Sequence, residues 1–148
     1  MKVTAYDIAE RFQGTKEIKG AVDNPQVMAM LKLDNNWPQN DEVPWCSGFV
    51  NYICWLLRLP RSKNLMARSW INIGSYIELE DAQVGFDIVV LKRSANSPGP
   101  EILNAPGHVG FYAGSNSKRV YLLGGNQNNG VNVSGYNINR ILAIRRLG

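Results

Sequence analysis

Two residues in this chain can together carry nucleophilic chemistry. Cys46 stands in Pro44-Trp45-Cys46-Ser47-Gly48-Phe49-Val50. His108, the one histidine among 148 residues, stands in Gly107-His108-Val109-Gly110-Phe111-Tyr112. A thiol attacks as its thiolate, so a nucleophilic cysteine needs a depressed pKa. A helix N-terminus and a neighbouring imidazolium each lower it, because both favour negative charge. Pro44 and Trp45 place Cys46 in the first turn of an apolar helix. His108 lies in a run that reads as a strand, so it reaches the thiol only if the fold lays that strand against the helix start. A third polar group should hold the imidazole in one tautomer. Asn126, after Gly124-Gly125 at the end of the following strand, is the first candidate. Gln127 is the alternative, as orienter or as a substrate contact. No carboxylate occurs between Ala113 and Gly148.

The other cysteine, Cys54, reads as packing in the same apolar helix. Eight residues of helical rise would separate the two Cα atoms by about 12 Å. A disulfide needs about 4.4–6.8 Å, so both thiols are expected to be free. Beside Cys46, the small residues Ser47 and Gly48 would let a substrate approach. Gly124-Gly125-Asn126-Gln127-Asn128-Asn129-Gly130 is rich in Gly and Asn but lacks the Gly-Lys-Ser/Thr of a phosphate loop. One histidine and two cysteines on one helix argue against a zinc site, and no cofactor is expected.

The elements that must position these groups change character at mid-chain. Residues 4–13 and 24–33 read as helices carrying apolar residues near helical spacing, the second opened by Asp23-Asn24-Pro25. A polar linker spans 34–44. Residues 45–57 form the apolar helix, with Phe49, Val50, Ile53, Cys54 and Leu57 on one face, and Leu59-Pro60 ends it. A short helix is expected over 64–72. Strands follow at 86–91, 108–112, 120–123, 131–133 and 141–145, separated by turn residues. Helices first and an antiparallel meander second predict an α+β domain, with the cysteine at a helix start and the histidine on a strand.

Length favours one domain over 1–148, with no separate wall-binding or other module. A hydrophobic fraction of 45% and a charged fraction of 19% describe a globular domain with a real core. The net charge of +4 suits an anionic partner without selecting one. The basic residues, among them Arg58, Arg61, Lys63 and Arg68, read mostly as a solvated surface. The N-terminus lacks the apolar stretch of a signal peptide, so synthesis in the cytoplasm is expected. No apolar run approaches the ~18 residues of a membrane helix, so no stable membrane insertion is expected.

The ordered series of motifs resembles a known group. Asp41-Glu42-Val43-Pro44-Trp45-Cys46-Ser47-Gly48-Phe49-Val50-Asn51 is followed by Ala67-Arg68-Ser69-Trp70 and Gly85-Phe86-Asp87-Ile88-Val89-Val90. Gly107 to Tyr112, Leu123-Gly124-Gly125-Asn126-Gln127 and Val131-Asn132-Val133-Ser134 complete it, and the leading segment from Glu17 to Pro25 also matches. This series resembles the phage-type CHAP cell-wall hydrolases (cysteine, histidine-dependent amidohydrolase/peptidase) of the NlpC-like, papain-like superfamily. The resemblance implies a papain-like fold and an endolysin-like hydrolase that cuts an amide bond of peptidoglycan, leading to host lysis. It makes Cys46 the nucleophile, His108 the general base and Asn126 the orienter. Many CHAP domains carry a Glu just before that Asn, where this chain has Gly124 and Gly125; a Cys-His-Asn triad is the form implied.

The mechanism then expected is acyl transfer through a thioester. The oxyanion would be held by the Cys46 backbone N–H and a second donor, for which Asn40 and Asn51 are candidates. Trp45, Trp70, Tyr112 and Gln127 are candidates to touch substrate, with core packing the other reading of the three aromatics. The expected partner is bacterial peptidoglycan, met by a monomer that reaches the wall with a holin or a secretion system. Competing readings are an antibacterial effector amidase with an immunity partner and a non-catalytic wall-binding module. A nucleic-acid-binding domain has no motif to support it.

Overall fold

The computed structural model describes residues 2–18, 24–38 and 44–148. The first two helices start where side chains satisfy their free N–H groups. In α1 (Ala5–Glu10) a capping box closes, with Thr4 Oγ1 accepting from Asp7 N at 3.1 Å and Asp7 Oδ2 accepting from Thr4 N at 2.8 Å. In α2 (Pro25–Lys32) Asn24 caps Gln26 N at 2.9 Å and Pro25 occupies the first position. The central helix α3 (Cys46–Leu57) has no side-chain cap at its start and ends at Arg58 in the left-handed region, φ 56°. The helix expected over 64–72 shrinks to a 3-10 turn, Ala67–Trp70. Asn64 Oδ1 accepts from Met66 N, and Ser69 Oγ donates to Met66 O at 2.6 Å. Such local bonds compete with a regular helix.

Six antiparallel strands follow: β1 (Ser75–Tyr76), β2 (Asp87–Lys92), β3 (Gly107–Ser115), β4 (Arg119–Gln127), β5 (Gly130–Asn137) and β6 (Ile141–Arg146). Their order is β1-β6-β2-β3-β4-β5. The fold is α+β as expected, with two refinements. First, β6 returns to pair with β2 instead of extending the meander beyond β5. Second, β4 runs on through Gly124-Gly125, which was expected to be a turn, and Gly124 pairs with Asn132.

Strand alternation divides the sheet's apolar residues between two faces. One face carries Ile88, Val90, Val109, Phe111 and Leu123, buried with Phe49, Val50 and Ile53 of α3. The other carries Val89, Leu91, Tyr112, Val120, Leu122 and Ile144 under the 77–82 segment. The Phe49 and Phe111 rings meet edge to face at 6.1 Å. Each such ring is worth about 1.5–3 kcal/mol of burial. This packing lays α3 across β3 and β4, the two strands that carry His108 and Gln127.

Candidate active site

At the start of α3, two neighbours fix the cysteine's helix turn. Ser47 is fully buried; its Oγ accepts from Trp70 Nε1 at 2.8 Å and donates to the Asn64 carbonyl. Gly48 faces the Met30 backbone, where a Cβ would sit 3.3 Å from the carbonyl oxygen. The small residues beside Cys46 therefore serve close packing of α2, α3 and the 62–66 loop rather than an open approach for substrate.

The thiol of Cys46 and the imidazole of His108 are near enough that each acts on the other's ionisation. Burial pushes the Cys46 thiol up, but the charge and hydrogen bond of His108, with backbone hydrogen bonds from Val109 and Ser47, outweigh it and hold the thiol below its ordinary value. Burial pulls His108 down, while the Cys46 charge, its hydrogen bond and the bond to Gln127 raise the imidazole above its ordinary value; Arg140 opposes them. Opposite shifts in a neighbouring acid and base favour the thiolate–imidazolium pair.

The other ring nitrogen is taken by Gln127, not Asn126. His108 Nε2 lies 2.9 Å from Gln127 Oε1. The carboxamide cannot be flipped, because Gln127 Nε2 donates to the carbonyls of Asn132 at 2.7 Å and Leu122 at 3.2 Å. Oε1 is therefore the acceptor, Nε2 of the histidine carries the hydrogen, and Nδ1 is left to the thiol. The expectation for Asn126 fails because the β4–β5 ladder bulges between Gly124 and Gln127, with Asn126 at φ 57° within it. A bulge re-aims the side chains around it. The glycines before Asn126 have a related cause. A Cβ on Gly124 would lie 2.8 Å from Gln127 Oε1, and one on Gly125 2.7 Å from Trp45.

The aromatic groove candidates are corrected as well. Trp45 and Trp70 are wholly buried, and the Trp45 Nε1 donates to Glu17 Oε1 at 2.7 Å. Tyr112 belongs to the cluster on the far face of the sheet, its hydroxyl 2.8 Å from Ser115 Oγ. Gln127 is 3% exposed and serves the imidazole, so it is not a substrate contact. Asn51 is buried and satisfied, accepting from Lys63 N at 2.9 Å and donating to the Ser47 and Asn64 carbonyls, so it is no oxyanion donor. Asn40 and the 41–43 stretch of the cysteine motif lie outside the described residues. A groove of about 360 Å³ does open at Cys46, with Trp37, Met66 and Arg93 among its lining residues. Sequence reasoning missed all three. The one available signal was Trp37, an aromatic in an otherwise polar linker.

A thiol at a helix start, an imidazole from a neighbouring strand and a carboxamide behind it are thus set together on one α+β framework. Among solved structures, the chain is similar to NlpC1 from Trichomonas vaginalis, with a TM-score of 0.54 and 17% identity. The alignment covers 96% of this chain and 42% of that one, so this chain spans less than half of NlpC1's length. The shared fold is NlpC-like, with helices packed on an antiparallel sheet and Cys46 at the start of α3. No family model and no curated protein matches the chain.

Proposed function

We propose that this protein is a cysteine-dependent peptidoglycan hydrolase with an endolysin-like role, cutting an amide bond of the bacterial cell wall. The observation that carries the proposal is the set of Cys46 at a helix start and lining a groove, His108 close enough to act on its charge, and Gln127 behind the imidazole. In an NlpC-like fold that arrangement suits acyl transfer.

The steps follow from the atoms present. His108 Nδ1 takes the proton of Cys46, leaving thiolate and imidazolium. The thiolate attacks the amide carbonyl, and the oxyanion forms beside the Cys46 backbone N–H at the start of α3. The imidazolium gives its proton to the leaving amine as the C–N bond breaks. Water, deprotonated by the now neutral imidazole, attacks the thioester and releases the acid and the thiol. Gln127 holds Nε2–H throughout, so Nδ1 stays aimed at sulfur. The basic surface, net charge +4, favours an anionic wall polymer.

The test is digestion of purified peptidoglycan by the wild type and by Cys46→Ala, with products read by mass spectrometry. Amide-cleaved fragments from the wild type alone are expected, and they identify the bond. Cleavage by both proteins would remove Cys46 as nucleophile. No cleavage by a folded wild type across several wall types would favour a binding module.

A further inference from the structure

We propose that Tyr136 is a positioning residue of this site, its hydroxyl and ring holding the Gln127 carboxamide and the imidazole in the arrangement that leaves Nδ1 to the thiol. The inference rests on the reading of Cys46 and His108 as a nucleophile–base pair. It concerns a residue on β5 that neither the cysteine motif nor the histidine motif contains.

Tyr136 touches both partners at once. Its hydroxyl donates to Gln127 Oε1 at 3.0 Å, the same oxygen that faces His108 Nε2. Its ring lies beside the imidazole, centroids 5.4 Å apart at an interplanar angle of 38°. The ring is itself held, because the Arg140 guanidinium stands 5.1 Å over it and Arg140 Nε donates to the Lys92 carbonyl at 3.0 Å. Gln127 is tied from its other end to Asn132, whose Oδ1 accepts from Ser134 Oγ. Two residues of β5, Tyr136 and Asn132, therefore hold one carboxamide of β4, with Ser134 bracing Asn132.

The chemistry favours a constant donor. Burial pushes the Tyr136 hydroxyl up to about 12, with Arg140 opposing and the Cys46 charge adding to the rise, so it keeps its proton wherever the thiolate–imidazolium pair exists. Both lone pairs of Oε1 are then used, which leaves no place on it for water. The charged or titratable groups that act on the imidazole are Cys46 from α3 and Arg140 from the turn before β6. Tyr136 adds no charge of its own, so its effect is orientation.

The experiment is alkylation of Cys46 by iodoacetamide, read by mass spectrometry on the Cys46 peptide. Wild type, Tyr136→Phe, Tyr136→Leu and His108→Ala are compared at about pH 6.5 and about pH 10, on either side of the ordinary thiol range. Tyr136→Phe keeps the ring and loses one hydrogen bond, so it is expected to react roughly fivefold more slowly at the lower pH and within about twofold of wild type at the higher. Tyr136→Leu is expected to lose more at the lower pH. As the chain has one histidine, its imidazole NMR signals report the same change directly: the Nε2 proton exchanges faster with water in Tyr136→Phe. Equal rates for Tyr136→Phe and wild type at both pH values would overturn the proposal. So would an equal loss at both, which would mark general loosening. A wild type no faster than His108→Ala at the lower pH would instead remove the nucleophile–base pair, and the role of Tyr136 with it.

Discussion

At the residue scale, the site is a chain of interactions from sulfur to β5. Cys46 lies below and His108 above its ordinary value of 9.0 and 6.5 respectively. Thiolate is gained as pH rises through the lowered thiol value, and imidazolium is lost as pH rises through the raised imidazole value. Hydrolysis should thus trace a bell, its acid limb below the ordinary thiol range and its alkaline limb above the ordinary imidazole range. A pH–rate profile checks it, and an acid limb near 9 would contradict it. The orienter is tested by a pair of substitutions. Gln127→Ala removes the acceptor of Nε2–H and is expected to slow Cys46 alkylation at neutral pH about tenfold. Asn126→Gly removes the neighbouring side chain at a backbone angle glycine accepts, and is expected to leave the rate within about twofold. Cys46, His108 and the need for an orienter were legible in residue chemistry. The choice of Gln127 over Asn126 was not, because two adjacent amides in a Gly-rich strand look alike until a bulge decides which one turns to the ring.

At the element scale, three polar side chains brace the walls of the groove, and sequence patterning assigned none of them to that task. Asn51 and Ser47 tie α3 to the 62–64 loop. Arg68, expected among solvated basic residues, is fully buried and donates to the carbonyls of Pro98, Gly99, Ile102 and Pro106 at 2.7–3.2 Å. These acceptors lie in the segment between β2 and β3, which leads directly into His108. Arg68→Met would keep much of the stem's packing but leave several buried carbonyls unpaired. A loss of about 3–5 kcal/mol in urea-induced unfolding is expected. A change under about 1 kcal/mol would show that the segment stands without the guanidinium. A buried arginine is invisible in a pattern of apolar spacing, since its partners are backbone carbonyls thirty or more positions away.

At the scale of the whole molecule, the sheet order brings the second half of the chain back to its own first strands. Asp87 on β2, 1% exposed, receives Arg146 of β6 through Nε at 2.7 Å and a second guanidinium nitrogen at 2.9 Å, and caps Gln83 N at 2.8 Å. Asp87→Ala should cost about 2–3 kcal/mol, because it removes a buried carboxylate that accepts two bonds from Arg146 and one from Gln83 N. One cooperative transition with unchanged alkylation of Cys46 in the native state is the expected result. Partial unfolding with early exposure of the thiol would instead separate β6 from the domain. By itself, the sequence determined the α+β succession, the helix start at Cys46 and the strand at His108. All are local: capping, periodicity and β-branched runs act over a few residues. The tertiary structure alone decided the rest. It set β6 beside β2, buried Trp45 and Trp70, moved Tyr112 to the far face, selected Gln127 and recruited Tyr136. Each of these depends on which strands become neighbours and where a ladder bulges, and non-local pairing of that kind has no short-range signature.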